Sequence, residues 1–144
     1  MSGETSGNGS PTVVLVNGAF ADASSWNGVI ERLQERGVNV VAPANPLRGI
    51  ASDSAYIATV LDQIAGPVIA VGHSYGGAVI IGAGTDPNVA ALVYIAAFAP
   101  DEGESVKTRI ADFPPDAPAP PMPPPQDGFL FLDREKFMTR SRAT

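Results

Sequence analysis

Four short apolar runs alternate along the chain with segments whose apolar residues recur at helical spacing. The runs cover residues 13–16, 38–41, 68–71 and 89–95, and valine and isoleucine are frequent in them. Short runs that are apolar at nearly every position are typical of strands buried on both faces of a parallel sheet. They therefore predict four strands of that kind.

The segments between the runs predict helices. The apolar positions of the first segment are Trp26, Val29, Ile30 and Leu33. Those of the second segment are Ile57, Val60, Leu61 and Ile64. Both sets fall on one helical face, with Ser24 or Ser25 as the predicted N-cap of the first helix and Asp53 of the second. Gly37 and Gly66 are the predicted stops. A third helix is predicted after residue 77, and strands alternating with helices predict an α/β fold: a parallel sheet with helices on both faces.

Composition divides the chain into three parts. Residues 1–11 are polar and rich in glycine and serine, which predicts a disordered leader. Residues 12–106 carry the alternating pattern and form the predicted α/β core. Residues 107–144 are predicted to be a proline-rich lid or linker that ends in a basic tail, since prolines crowd positions 114–125.

The overall composition excludes several kinds of function. With a formal net charge of −6, the chain is not expected to bind nucleic acid or an anionic membrane. It contains no cysteine, no signal-peptide pattern and no run near the roughly 18 apolar residues of a membrane span. No cofactor fingerprint or metal cluster is recognisable. The expectation is a cytoplasmic protein that acts on a small, neutral or hydrophobic molecule without a cofactor or metal.

The chemistry is concentrated in the segment that follows the third apolar run. It reads Gly72-His73-Ser74-Tyr75-Gly76, with Gly77 behind it. This G-x-S-x-G pattern between a strand and a helix is typical of a nucleophile elbow, a sharp turn that holds a serine in a strained conformation. Side chains at the glycine positions would collide in such a turn, and Ser74 is therefore the predicted nucleophile.

A second motif lies after the first apolar run, where the chain reads Asn17-Gly18-Ala19-Phe20. A glycine-containing turn here predicts a backbone N–H for an oxyanion hole, donated by Ala19 or Phe20. The partner donor is the N–H of Tyr75, directly after the predicted nucleophile. The side chains of Trp26, Tyr56 and Tyr94 are assigned to packing.

Together these motifs resemble the first half of an α/β-hydrolase, in particular the small esterases and hydroxynitrile-lyase-like members. The resemblance extends in order over residues 12–106, through VLVNGAFADASSW, NVVAPANPLRG, PVIAVGHSYGG and ALVYIAAFAPDEGES. It implies that Ser74 is the nucleophile and that an acid and a histidine follow it in the chain. By the same resemblance, the side chains of Phe20 and Tyr75 flank the elbow and are candidates for lining an acyl pocket. The family usually has His-Gly where this chain has Asn17-Gly18.

The chain has one histidine, His73, and it lies inside the elbow. Serine activation needs an imidazole within hydrogen-bond reach of the hydroxyl, and His73 is expected to pack behind the elbow, away from Ser74. Asp101 is an alternative acid, although acidic residues at a strand end are more often a solvated loop.

Two hypotheses about function follow. The first is a serine hydrolase of esterase type, truncated and weak or inactive alone because the triad histidine is absent. The second is a non-catalytic remnant or ligand-binding pseudoenzyme. Absence of the second half of the fold would leave apolar surface bare, which predicts self-association. A partner chain that supplies the acid and the histidine is a third arrangement.

Overall fold

A computed structural model describes residues 9–99, 115–116 and 124–127. Four strands alternate with three α-helices in the first of these ranges. The strands are β1 (Thr12–Val16), β2 (Asn39–Val41), β3 (Val68–His73) and β4 (Val89–Ile95). The helices are α1 (Asn27–Glu35), α2 (Ile50–Asp62) and α3 (Tyr75–Ala83), and a 3₁₀ helix, Ala23–Trp26, leads into α1.

The four strands form one parallel sheet in the order β2-β1-β3-β4. Val14 of β1 lies between Val41 of β2 and Ala70 of β3, so β1 and β3 occupy the centre. The β3–β4 pairing is parallel as well, with one irregularity at Val68 and Ile69. The parallel sheet predicted from the four apolar runs is confirmed.

Helices cover both faces of the sheet. Successive side chains of a strand point to opposite faces, so each strand presents apolar side chains to the helices on both sides. On one face, α2 and α3 close a core that contains the following buried residues: Val14, Val16, Ile57, Leu61, Val68, Ala70, Val79, Ile80 and Ala83. On the other face, Leu15 and Val71 pack with Trp26, and Ile30 of α1 adds to this smaller cluster. The predicted arrangement of helices on both faces is confirmed.

The helix starts differ from the predicted caps. The carboxylate of Asp22, rather than Ser24 or Ser25, accepts the N–H of Ser24 at 2.8 Å and begins the 3₁₀ helix. Asp53 is not the N-cap of α2 either, because the helix begins three residues earlier, after Gly49. A capping side chain has to lie at the boundary itself, and periodicity locates that boundary only to within a few residues.

Two of the three aromatic residues assigned to packing are exposed. Trp26 is buried as predicted, but Tyr56 and Tyr94 are 44% and 41% exposed. Tyr94 lies on β4, which pairs with β3 on one side and has no second strand beside it among the described residues. The apolar pattern identifies the strand without showing whether it lies at the centre or the edge of the sheet.

The chain divides into two compact units, residues 1–110 and 111–144. In the second unit the described residues are Pro115 and Asp116, which form a turn, and residues 124–127, which include a bridge residue, Gln126. Among the helices of the described ranges, none has the length and the hydropathy that a membrane crossing requires.

Candidate functional site

Ser74 occupies the junction between β3 and α3 in a conformation that side chains rarely adopt. Its φ is 53° and its ψ is −122°. A non-glycine residue with this backbone costs about 1–3 kcal/mol, and it persists only where the surroundings enforce it. The turn formed by residues 72–76, called the elbow below, therefore has the backbone strain that the sequence motif predicts.

The glycines of the elbow are required by close backbone contacts. A Cβ added to Gly72 would lie 2.6 Å from the carbonyl carbon of Gly76, and one added to Gly76 would lie 2.3 Å from the carbonyl oxygen of Val16. Atoms of the backbone cannot move aside as the end of a side chain can. The two glycines thus allow β3, α3 and the end of β1 to meet at Ser74.

The segment that follows β4 contributes to the elbow from the other side. The carbonyl oxygen of Ser74 accepts hydrogen bonds from the N–H groups of Gly77 and Phe98, each at 3.0 Å. A Cβ on Gly77 would lie 2.4 Å from the carbonyl oxygen of Phe98. The N–H of Ser74 in turn donates to the carbonyl of Ile95 at 3.3 Å. These contacts hold the Ser74 peptide on both sides.

The loop after β1 lies directly beside Ser74. A Cβ on Gly18 would lie 2.9 Å from the Cβ of Ser74, so the loop approaches the elbow as closely as a glycine permits. Phe20 has a φ of 63°, and its side chain is 41% exposed. Ala19 is exposed next to it. The two motifs that the sequence places 56 residues apart, at Gly18 and Ser74, are therefore one site.

Asn17 organises this loop from within. It is completely buried, and its side-chain amide donates to the carbonyls of Gly18 at 2.9 Å and Ala21 at 3.0 Å. Asn45, which precedes α2, donates from its side chain to the carbonyl of Asn17 at 2.9 Å. The Oδ1 atoms of Asn17 and Asn45 have no hydrogen-bond partner in the described part of the chain. An asparagine thus orders the loop at the position where a histidine was expected from the resemblance.

His73 was expected to pack behind the elbow, but it is not buried there. The residue is exposed, and its ring meets the ring of Trp26 edge-on, with centroids 6.2 Å apart. Its Nδ1 would lie 3.5 Å from a Cβ on Gly18. Among the described residues, no hydrogen bond joins this imidazole to Ser74.

The side chain of Tyr75 is directed into the fold. Its ring packs against the core between the sheet and α2, and its hydroxyl donates to Oδ2 of Asp53 at 2.6 Å. Burial raises the pKa of the Tyr75 phenol, and the hydrogen bond to Asp53 and its negative charge raise that pKa further. A side chain held in this way does not line an acyl pocket. The backbone N–H of Tyr75 lies at the first position of α3, where a helix offers it no acceptor.

One predicted site residue, Asp101, lies outside the described residues. Within those residues, no group of three or more His, Asp or Glu side chains is arranged to hold a metal ion. The described site therefore consists of a strained serine, the peptide groups around it and three buried polar side chains, Asn17, Asn45 and Asp53, that bond to neighbouring residues.

A strained serine between a parallel strand and a helix, with a glycine loop against it, defines an α/β protein with a nucleophile-elbow turn. The model of the alpha/beta hydrolase family matches residues 13–143. The chain belongs to the alpha/beta hydrolase family.

Individual relatives agree with this assignment. A carbendazim hydrolyzing esterase from Nocardioides sp. (strain SG-4G) is 31% identical over 107 residues, which are 65% of this chain and 44% of the esterase. A pyrethroid hydrolase from Sphingobium faniae JZ-2 has a similar structure, with a TM-score of 0.73 and 23% identity over 92% of this chain and 59% of the hydrolase. An extracellular alpha/beta-hydrolase from a Paenibacillus species gives a TM-score of 0.64 and 27% identity, and covers 74% of this chain and 47% of that one. The chain thus spans 44–59% of these relatives.

Two residues of the site have functions that the sequence did not indicate. Asp53 was interpreted as a helix cap, and Asn45 was one polar residue between two prolines. An acidic residue near a helix start and an asparagine in a loop are common, and nothing in the pattern pairs Asp53 with Tyr75, 22 residues further along. Their partners are specified by the packing of α2 against α3 and by the approach of the segment before α2 to the loop after β1.

Proposed function

We propose that this protein is a serine hydrolase of esterase type in which Ser74 is the nucleophile. The hydroxyl would attack the carbonyl carbon of an ester, and the tetrahedral oxyanion would be held by the N–H groups of Tyr75 and of Ala19 or Phe20. The hydroxyl proton would pass to a base, and the alcohol would leave as the acyl-serine forms. Water would then release the acid.

The observation that carries this proposal is the conformation of Ser74 beside Gly18. The serine has a φ of 53° between β3 and α3, and the approach of Gly18 to its Cβ brings the second loop to the same point. Strained residues persist where neighbouring structure enforces them, and they concentrate at functional sites. A serine in an ordinary turn would need neither the strain nor the loop against it.

The substrate class is inferred from charge and from the relatives. A chain with a formal net charge of −6 favours neutral over anionic substrates. The names of two relatives describe a carbendazim hydrolyzing esterase and a pyrethroid hydrolase. We therefore propose small, neutral, hydrophobic esters as substrates.

The base is the part of the mechanism that the described residues do not place within hydrogen-bond reach of Ser74. His73 is the single histidine, and it lies against Trp26. A serine protease that lacks triad members retains only about a 10³–10⁴-fold acceleration from its oxyanion hole and from binding. We therefore expect this polypeptide by itself to be a slow esterase, with an acid and an imidazole supplied by other residues in the full enzyme.

The test is covalent labelling of Ser74 by a fluorophosphonate probe, together with the burst of p-nitrophenol from a short-chain ester. We expect slow labelling that is abolished in Ser74→Ala, and a faster rate when free imidazole is added as a substitute base. His73→Ala is the matched control and should label at the wild-type rate. Absence of labelling in folded protein, with and without imidazole, would contradict the proposal. Loss of labelling in His73→Ala would instead identify His73 as the base.

The second candidate is a ligand-binding protein without catalysis. It is favoured by the position of His73, because no hydrogen bond joins this imidazole to Ser74 in the described part of the chain. In that case a neutral ester would raise the melting temperature of the protein, would not be cleaved, and would still do so in Ser74→Ala. Turnover that depends on Ser74 would exclude this candidate.

A further inference from the structure

The carboxylate of Asp53 is completely buried, yet it belongs to none of the proposed catalytic groups. It accepts hydrogen bonds from the backbone N–H of Arg48 at 3.0 and 3.2 Å and from that of Gly49 at 3.3 Å. The Tyr75 hydroxyl completes the set at 2.6 Å. A buried carboxylate is tolerated only where hydrogen bonds satisfy it, and bonds to an ionised acceptor are roughly twice as strong as neutral ones. Asp53 is thus held in one orientation by three neighbours.

The residue at the far end of this hydrogen bond is adjacent to the nucleophile. Tyr75 follows Ser74 directly, and its N–H is the proposed oxyanion donor at the first position of α3. With the ring packed in the core and the hydroxyl bound to Asp53, the side chain of Tyr75 is fixed at both ends. Relaxation of the Ser74 φ would move the Cα of Tyr75, and it would therefore have to displace the phenol from the carboxylate.

Strain at Ser74 has to be opposed by restraints, and the Tyr75 side chain adds one to the hydrogen bonds that the Ser74 carbonyl accepts from Gly77 and Phe98. The favoured backbone regions of a serine have negative φ, so a turn without external support would relax away from 53°. The close backbone contacts of Gly72 and Gly76 permit the strained form. They do not by themselves oppose its relaxation, since a glycine adds conformational freedom.

We infer that Asp53 is a positioning residue, which acts through the Tyr75 hydroxyl to hold the Ser74–Tyr75 peptide and its N–H in the orientation that an oxyanion requires. This inference rests on the proposed function for its catalytic consequence. It also joins the loop before α2 to the elbow, because the same carboxylate binds the N–H groups of Arg48 and Gly49. A displacement of that loop would reach the oxyanion donor through one side chain.

The experiment uses three test variants: Asp53→Asn, Tyr75→Phe and the double variant that carries both changes. Each is compared with a control variant, Ser54→Ala. Ser54 is the matched control, because it is the next residue of α2, it is also buried, and its hydroxyl donates to the carbonyl of Val79 at 2.9 Å, away from the elbow. The first measurement is the rate of Ser74 labelling by a fluorophosphonate, with imidazole added. The second is the amide hydrogen exchange of Gly77, whose N–H donates to the carbonyl of Ser74.

We expect each single variant to label about tenfold more slowly, which is less than the roughly 10²–10³-fold loss when an oxyanion donor is removed outright. Exchange at Gly77 should rise about tenfold relative to that of β1 amides. The double variant should be no slower than the single ones, because both changes break one interaction. Ser54→Ala should change neither the labelling rate nor the exchange ratio.

Wild-type labelling and unchanged Gly77 exchange in Tyr75→Phe would overturn the inference. Tyr75→Phe leaves Asp53 with its two backbone donors, so it keeps the inference testable if Asp53→Asn does not fold. Should the wild-type protein show no labelling that depends on Ser74, the proposed function fails. The exchange ratio at Gly77 then decides by itself whether Asp53 holds the elbow.

Discussion

Strands β3 and β4 are neighbours of similar apolar character, yet they have opposite surroundings. Val68 and Ala70 of β3 are completely buried, with β1 on one side and β4 on the other. Val93, Tyr94 and Ile95 of β4 are 40–44% exposed. The turn at the end of β3 is the elbow, whereas β4 contributes to the site through the backbone of the segment that follows it.

The difference shows what the site requires from the sheet. Strain at Ser74 is opposed by backbone hydrogen bonds to α3, to the last residue of β4 and to the segment after β4, so the strand that bears it has to be held on both edges. An edge strand has unpaired N–H and C=O groups and can shift. The apolar side chains of β4 are partly exposed, because no other described residues cover them.

The largest expected effect is a difference in stability between two glycine substitutions. One is in the elbow, where an added Cβ would clash with the backbone, and the other is in α1, where it would not. Gly76→Ala should destabilise the fold by about 3 kcal/mol or more, because its Cβ would overlap the carbonyl oxygen of Val16. Gly28→Ala is the control, since Gly28 lies in α1 with nothing within 4 Å of an added Cβ, and it should stabilise by about 0.5 kcal/mol. Urea denaturation measures both. An equal effect of the two changes would contradict the account of the elbow.

The next prediction compares the centre of the sheet with its edge. Leu15→Ala in β1 should lower the free energy of unfolding by about 2–5 kcal/mol, because the side chain is 1% exposed and its removal leaves a cavity. Ile95→Ala in β4 should cost less than about 1 kcal/mol, since the isoleucine is 44% exposed. If the two variants lose the same stability, β4 is covered in solution.

A third prediction addresses what the exposed strand does in solution. We expect the wild-type chain to self-associate through β4, and Val93→Lys to shift the association midpoint to about tenfold higher concentration, because a charge on an edge strand opposes pairing. Analytical ultracentrifugation over a range of concentrations measures the midpoint. Val29→Lys on exposed α1 is the control and should have no such effect. A wild-type protein that is monomeric throughout would refute self-association.

The smallest effect concerns the pH dependence of stability. The pKa of Tyr75 is raised in the folded protein, so its contribution to stability is fully present below about pH 10, the ordinary tyrosine pKa, and is lost as the pH rises from there through the folded value. Tyr75→Phe should remove this part of the decline in unfolding free energy between pH 9 and 11.5. Tyr94→Phe on β4 removes an exposed hydroxyl and is the matched control. A decline that is unchanged in Tyr75→Phe would contradict the burial and bonding of that phenol.

Much of the fold was predictable because it depends on local patterns. Runs such as 68–71 and 89–95 are short and apolar at successive positions, which is typical of strands in a parallel sheet. Helix starts were less accessible, since Asp22 rather than a neighbouring serine caps the 3₁₀ helix. Several residues near such a boundary have side chains that can cap a helix, and which of them does so depends on the residue at which the helix begins.

The candidate site was predictable to the same extent. The glycines around Ser74 are a sequence signal, because a sharp turn excludes side chains at fixed offsets. The interaction of Asn17 with Ala21 and that of Asp53 with Tyr75 have no such signal. Each depends on the direction of one buried side chain relative to a distant element.

By itself, the sequence determined the α/β class, the four strands, the position of the elbow and the glycine loop that accompanies it. Local sterics and hydrophobic periodicity are enough for these features, because each involves residues a few positions apart. Tertiary structure alone decided that β4 is an edge strand among the described residues, that His73 is exposed beside Trp26, that Asn17 bonds to the loop after β1, and that Asp53 bonds to Tyr75. These are contacts between elements distant along the chain, and they are specified by how the helices cross the sheet.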